Sequence, residues 1–288
     1  MLATNTSSIP LDKISQVMDK PSRLIGIHFF NPVAKMPLIE IVKTNTTPQL
    51  WVKKAASFVK QLKRSPLLVM SSPGFLVNRL LMPYLTEAMK IYEEGVSKEL
   101  IDQTAVNFGM PMGPVELADK VGLDVCLSVA QNLSACSGME VSSKLEEMVE
   151  AGSLGVKTGG GFYRYDKKGK PIRQVKKSEF SNDRERDITD RLVLVLLNEA
   201  VACLHEKVVS NADLLDAGMI FGTGFAPFRG GPLQYAKQRG INDIVFRLNE
   251  LSSQYGERFK PREGWQQLMQ ESSDGRSELE ASLTVEEV

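Results

Sequence analysis

The apolar residues of this chain change their period near Gly74. Before it they form short continuous runs rich in branched side chains: LIGIHFF from Leu24, PLIEIVK from Pro37 and SPLLVM from Ser65. Runs of this length and composition predict buried strands. LATN at the start is a shorter strand candidate, and PLDKISQVM predicts a short helix opened by Ser8 or by the Ile9-Pro10 step. TPQLWVKKAASFVKQLKR places Leu50, Val52, Ala55, Phe58, Val59 and Leu62 on one helical face. Strands alternating with helices predict a parallel sheet.

After Gly74 the strand runs nearly vanish and the helical period takes over. FLVNRLLMPYLTEAMKIYEEG reads as one long helix with Pro83 as a kink point. SKELIDQTAVNFG has Ser97 as its N-cap, and VELADKVGLDVCLSVAQNLS and SSKLEEMVEAG read as further helices. KTGGGFYRYDKKGKP is a glycine-rich turn leading into a charged loop. A second helical block starts at DRLVLVLLNEAVACLHEKVV, and SSDGRSELEASLTVEEV closes the chain as a polar tail.

The two helical blocks repeat each other. RLLMPYLTEAMKIYEEGV from Arg79 aligns with RLVLVLLNEAVACLHEKVV from Arg191, so Glu87-Ala88 falls on Glu199-Ala200. NFGMPMGPVEL then lies opposite IFGTGFAPFRGGPL. Asn78 precedes the first Arg-Leu and Asp190 the second, which suggests that one copy faces a site while the other packs. The expected organisation is α/β followed by all-α. A sheet domain spans 1–72, a first helical domain 73–170, a charged linker 171–187, a second helical domain 188–270 and a loose tail 271–288.

Composition narrows the function classes. Hydrophobic residues make up 42% and charged residues 24%, with formal net charge zero. That balance offers no electrostatic footprint for nucleic acid or an anionic membrane. No apolar run approaches the roughly 20 residues of a membrane helix. Cys126, Cys136 and Cys203 show no metal-binding spacing and read as reduced core thiols. With no targeting signal at either end, the expected location is the cytoplasm, mitochondrion and peroxisome remaining open.

Polar residues in apolar settings are the candidate chemistry. His28, one of two histidines, sits in a strand, where a satisfied core histidine is the commoner case. Glu40 lies in a second strand, flanked by apolar residues. A buried carboxylate requires a partner. If neighbouring strands bring the two together, the carboxylate fixes the imidazole tautomer and leaves its other nitrogen as a base. The alternatives are a structural ion pair or an exposed edge strand. Asn78, in the first turn of its helix, either donates to a substrate oxygen or makes a local backbone bond. NTSS at Asn5 to Ser8 either binds a ligand at a strand end or caps a helix. KTGGGF from Lys157 either approaches phosphate or forms a flexible turn.

Taken together, NTSS, GIHFFNPVAKMPLIEIV, SSPGFLVNRLL, GMPMGPVELADKVGLD and KTGGGFYRY resemble the NAD-dependent L-3-hydroxyacyl-CoA dehydrogenases of fatty-acid β-oxidation. GMIFGTGFAPFRGGPLQYA resembles the extra helical domain of the multifunctional α-subunits. The resemblance runs to about Trp265. It implies the second half of a Rossmann-type parallel sheet followed by two duplicated helical domains, with NAD as cofactor and an acyl-CoA substrate. It further implies that His28 is the general base and Glu40 its partner. Ser7 would contact the substrate hydroxyl and nicotinamide, Asn78 the substrate oxygen, Asn5, Asn31 and Lys157 the cofactor, and Phe221 the acyl site. A thiolase subunit is the implied partner.

The chain departs from this family at its phosphate site. No G-x-G-x-x-G occurs in it, although that turn cradles the pyrophosphate in such folds. The expectation is therefore a C-terminal portion of a larger enzyme, active when its missing N-terminal half is supplied. The alternative is a non-catalytic fragment that binds partners or acyl-CoA.

Overall fold

The computed structural model describes residues 1–7, 9–137, 140–173 and 181–270, without the side chains of Cys136 and Ser137. Four strands form one sheet in chain order: β1 (Leu2–Thr4), β2 (Leu24–Phe29), β3 (Leu38–Lys43) and β4 (Ser65–Met70). The outer pairs, β1 with β2 and β3 with β4, are parallel, but β2 and β3 run antiparallel. The expectation of a wholly parallel sheet is corrected at this central pair. A parallel neighbour needs a crossover of roughly a dozen residues or more, and the short link between Phe29 and Leu38 cannot supply one.

Strand alternation gives the sheet two different faces. Ile25, Ile27, Ile39 and Ile41 pack against Val52, Ala55 and Val59 of α2 (Gln49–Gln61). The broad apolar face expected for α2 is narrower than that, since Leu50, Phe58 and Leu62 remain exposed. The opposite face carries Leu24, Leu38, Val42, Leu67 and Val69, which join the core of the helical half, together with Leu11 of α1 (Leu11–Ser15). His28 and Glu40 lie on this second face by strand parity.

The helical half begins with α3 (Val77–Glu93), which continues through Pro83, and α4 (Lys98–Phe108), capped by Ser97 accepting from the Leu100 amide. α5 (Pro114–Val121) and α6 (Leu123–Ser137) replace the single helix expected there. Gly122 separates them at φ 103°, a left-handed conformation that ends the first helix. α7 (Ser143–Glu150) follows, then the two-stranded β5 (Arg164–Tyr165) and β6 (Pro171–Ile172). α8 (Asn182–His205) begins inside the stretch expected as linker. Ser181 caps it through the Arg184 amide, and Asp183 and Glu185 suit its positive N-terminal end. Residues 174–180 of that stretch, and the tail 271–288, lie outside the described residues. α9 (Ala212–Thr223), α10 (Pro232–Arg239) and α11 (Ile241–Tyr255) follow, and residues 264–270 are again helical.

The duplication is visible as an exchange of charges. Arg79 on α3 bonds Glu199 on α8 and Glu206 just past its end, while Arg191 on α8 bonds Glu87 on α3 and Glu94 just past its end. Arg79 in the first turn of α3 thus meets the far end of α8, and Arg191, midway along α8, meets the far half of α3, so the pair is antiparallel. The second layer repeats as well. Asp102 accepts from the Val115 and Glu116 amides at the start of α5, and Asp216 from the Leu233 and Gln234 amides at the start of α10.

Candidate functional site

The antiparallel register sets His28 directly opposite Glu40. Directly opposed residues project to the same face with Cβ atoms about 5 Å apart, so two side chains twelve positions apart in sequence meet. His28 Nδ1 lies 2.7 Å from Glu40 Oε2. Both are buried, Glu40 completely. The other carboxylate oxygen, Oε1, accepts from the backbone amides of Leu76 and Val77 at 3.1 and 3.0 Å. These amides head α3, where helix N–H groups have no intrahelical acceptor, and the helix dipole favours a negative charge. Glu40 is therefore a satisfied buried carboxylate.

With both carboxylate oxygens accepting, Nδ1 donates. That fixes the tautomer and leaves Nε2 as a lone-pair acceptor, and Nε2 has no hydrogen-bond partner among the described residues. Phe30 and Phe75 pack edge-on against the imidazole, with centroids 4.6 and 5.6 Å away. They hold the ring in place without competing for its nitrogen.

Asn78 and the Asn5–Ser7 turn join the same site. Asn78 Nδ2 donates to the Ser7 carbonyl at 2.8 Å, and Asn5 Oδ1 accepts from the Phe29 amide at 3.0 Å. The turn following β1 is thereby fastened beside the end of β2. Asn31 is exposed in the loop after β2. α9 approaches closely because it carries glycines. A Cβ at Gly222 would lie 2.9 Å from Val77 Cγ2, and one at Gly218 would lie 2.7 Å from Leu67 Cδ2. Phe221, between these glycines, is 48% exposed.

Lys157 stands apart. Its ammonium pairs with Asp124 at the start of α6, and no bond among the described residues joins it to Asn5, Ser7 or Asn31. Two nearby glycines, Gly155 and Gly161, serve close packing, whereas Gly159 and Gly160 face open space. A Cβ at Gly161 would sit 2.0 Å from Asp119 Oδ1, and one at Gly155 would sit 2.1 Å from the Asp119 carbonyl oxygen. Asp119 in turn accepts from the Phe162 and Tyr163 amides and the Tyr165 hydroxyl. Burial raises the carboxyls of Asp102, to about 7, and of Asp216, to about 6, against the opposing effect of the amides that bond them.

Several residues of this site escaped the reading of the sequence. The Leu76 and Val77 amides have no side-chain signature. Arg79, Glu199 and Glu206 did carry one, because Arg, Glu and Glu recur at the same spacing in both helical copies. A cavity of about 980 Å³ between α3, α8 and residues 255–264 lies away from the dyad. Arg79, Arg258 and Arg262, which line it, are already paired with carboxylates.

Known proteins match this arrangement over nearly its whole length. The alpha subunit of the fatty acid oxidation complex from Vibrio parahaemolyticus is 36% identical over 96% of this chain, and that from Idiomarina loihiensis is 38% identical over 94%. The chain spans only 40% and 39% of the length of those two relatives. Among solved structures, 3-hydroxybutyryl-CoA dehydrogenase from Escherichia coli superposes with a TM-score of 0.80 at 26% identity, over 95% of this chain and 76% of its own. The dehydrogenase part of multifunctional enzyme 1 from C. elegans gives 0.64 at 32% identity, over 92% of this chain and 64% of its own. Residues 1–72 match the family model described as 3-hydroxyacyl-CoA dehydrogenase, NAD binding domain, and residues 74–165 match that of the C-terminal domain. The chain belongs to the 3-hydroxyacyl-CoA dehydrogenase family.

Proposed function

We propose that this chain carries the proton-transfer site and acyl-binding helices for oxidation of an L-3-hydroxyacyl-CoA to the 3-ketoacyl-CoA. The observation that supports it is the His28–Glu40 pair, with Nδ1 held by a carboxylate that two helix-end amides also bond. Nε2 of His28 takes the proton of the 3-hydroxyl as the C3–O bond becomes a carbonyl. Glu40 stabilises the imidazolium that results. Asn78 and Ser7 orient the substrate oxygen, and Phe221 offers apolar surface to the acyl chain. NAD, when bound, accepts the hydride from C3.

The residues present fit one end of that cofactor. Asn5 and Ser7 follow β1, and Asn31 follows β2. These two parallel strands end at the same edge of the sheet, where such sheets receive ligands. For the pyrophosphate there is no fit: the sequence lacks G-x-G-x-x-G, and Lys157 is held by Asp124. Weak NAD binding by the isolated chain is the expected consequence. The named relatives are subunits of a fatty acid oxidation complex, which supports assembly with a further subunit, a thiolase in our reading, and a cytoplasmic setting.

The test is NADH oxidation with acetoacetyl-CoA by the purified chain. His28→Ala is expected to lower turnover by about 10²–10⁴-fold. Turnover that survives the substitution would exclude His28 as the base. A folded wild-type chain without turnover would overturn activity for this chain by itself.

A further inference from the structure

The dyad depends on where α3 begins, and the turn that starts it is strained. Gly74 and Phe75 both have positive φ, 72° and 54°. For a bulky residue such as phenylalanine this conformation costs about 1–2 kcal/mol. Strain of this kind persists only where surrounding contacts impose it. Phe75 is fully buried, and its ring packs on His28. The next two residues supply the amides that bond Glu40. The strained turn thus sets both the imidazole packing and the carboxylate position.

Arg79 fastens this turn. Its NH1 donates to Ser72 Oγ at 3.1 Å, and its backbone amide donates to the Gly74 carbonyl at 3.1 Å. Its guanidinium is anchored on the other helical copy: Nε to Glu199 at 2.6 Å, and NH1 and NH2 to the two oxygens of Glu206 at 2.7 and 2.9 Å. A bidentate pair fixes orientation as well as distance. Arg79 holds the Glu206 carboxyl below its ordinary value. Arg191 makes the matching bonds to Glu87 and Glu94, but it lies inside α8, with no turn and no dyad attached.

We propose that Arg79 is a positioning residue: it transmits the placement of the second helical copy, through Glu199, Glu206 and Ser72, to the turn that orients His28 and Glu40. The first copy alone leaves this arginine without its carboxylates, so the second copy acts on the proton-transfer site without touching it. The inference rests on the reading of His28 and Glu40 as the proton-transfer pair.

The experiment is amide hydrogen exchange at Leu76 and Val77, together with long-range ¹H–¹⁵N spectra of the His28 ring, on the full chain without substrate. Only one other histidine, His205, shares that spectrum. Arg79→Lys keeps a charge but loses the bidentate bond. It is expected to speed exchange at both amides by about tenfold or more and to move the His28 nitrogens toward a mixture of tautomers. Glu206→Gln should act in the same direction, and it decides the question if Arg79→Lys does not fold. The symmetric control is Glu94→Gln, which removes the same carboxylate from the Arg191 pair. The proposal is overturned if the Arg79 or Glu206 variant leaves these signals at wild-type values, or if Glu94→Gln moves them equally. Because no turnover is read, a wild-type chain that fails in the assay above overturns activity for this chain by itself and leaves this coupling measured in its own right.

Discussion

The two helical copies share a plan and differ at one end. α3 starts at Val77, so the Leu76 and Val77 amides are free to bond Glu40. α8 starts at Asn182, and the equivalent stretch before Arg191 is already helical, its amides used within the helix. Asn78 accordingly reaches out to Ser7, whereas Asp190 at the matching place pairs with Arg239 and Arg247. An open helix start makes a site, and an extended one makes a brace. The same repeat therefore serves two purposes through a difference of a few residues in where hydrogen bonding begins.

The largest expected effect tests the brace through its buried carboxylates. Glu87 is almost completely buried and serves both Arg191 and Arg258, while Glu199 has the half-exposed Arg262 as its second partner. Glu87→Gln should cost about 3 kcal/mol, since it takes the carboxylate from Arg258 and leaves the buried Arg191 with Glu94 alone. Glu199→Gln should cost roughly 1 kcal/mol less, because water reaches Arg262. Urea unfolding of both variants checks the order, and equal losses would remove the asymmetry between the copies.

Exchanging the residues that differ gives an intermediate effect. Asp190→Asn should destabilise the whole chain by about 2 kcal/mol, a fraction of the cost of a fully buried pair, since Arg239 and Arg247 keep some solvent. Asn78→Asp loses the bond to the Ser7 carbonyl, worth about 1 kcal/mol. Its loss should show mainly as faster exchange in residues 5–7, with the unfolding midpoint nearly unchanged. The comparison fails if Asn78→Asp unfolds the chain as readily as Asp190→Asn.

The smallest effect is the pH dependence that the two copies share. Asp102 and Asp216 are raised, to about 7 and about 6, by burial. The native state then holds their protons more tightly than the unfolded chain does, so each contribution is greatest below the unfolded carboxylate range. It declines as pH rises toward the folded values. Between pH 5 and 7.5 these groups should lower the melting temperature by a few degrees. Asp216→Asn should remove the part of the decline that ends near pH 6 and keep the part that runs on to about 7. A single unchanged pH profile in that variant would refute the assignment.

Much of this was legible in the residues. The duplication appeared in Arg-Leu and Glu-Ala at constant spacing, because an antiparallel helix pair repeats its charges with its apolar face. His28 and Glu40 stood out because a buried polar group needs a partner. What remained hidden was direction and register. The run lengths of LIGIHFF and PLIEIVK fit strands of either sense, and only the short link between them forces the reversal that makes the two residues face each other. The apolar count on α2 overstated its buried face because periodicity cannot tell which of two adjacent stripes meets the sheet. The split at Gly122 was hidden because a glycine inside a helical pattern is tolerated as often as it terminates one. Lys157 drew attention for its neighbouring glycines, but one of them, Gly161, makes room for Asp119, and Lys157 itself pairs with Asp124.

The exchange of arginines between α3 and α8 has the form of a two-fold dimer contact, in which each half supplies what the other lacks. Here both halves belong to one polypeptide, so their encounter is intramolecular and its effective concentration is set by the connecting chain. Dilution cannot separate them. A contact that two free subunits would hold only above their dissociation constant is present in every folded molecule, and the geometry at His28 inherits that independence from protein concentration.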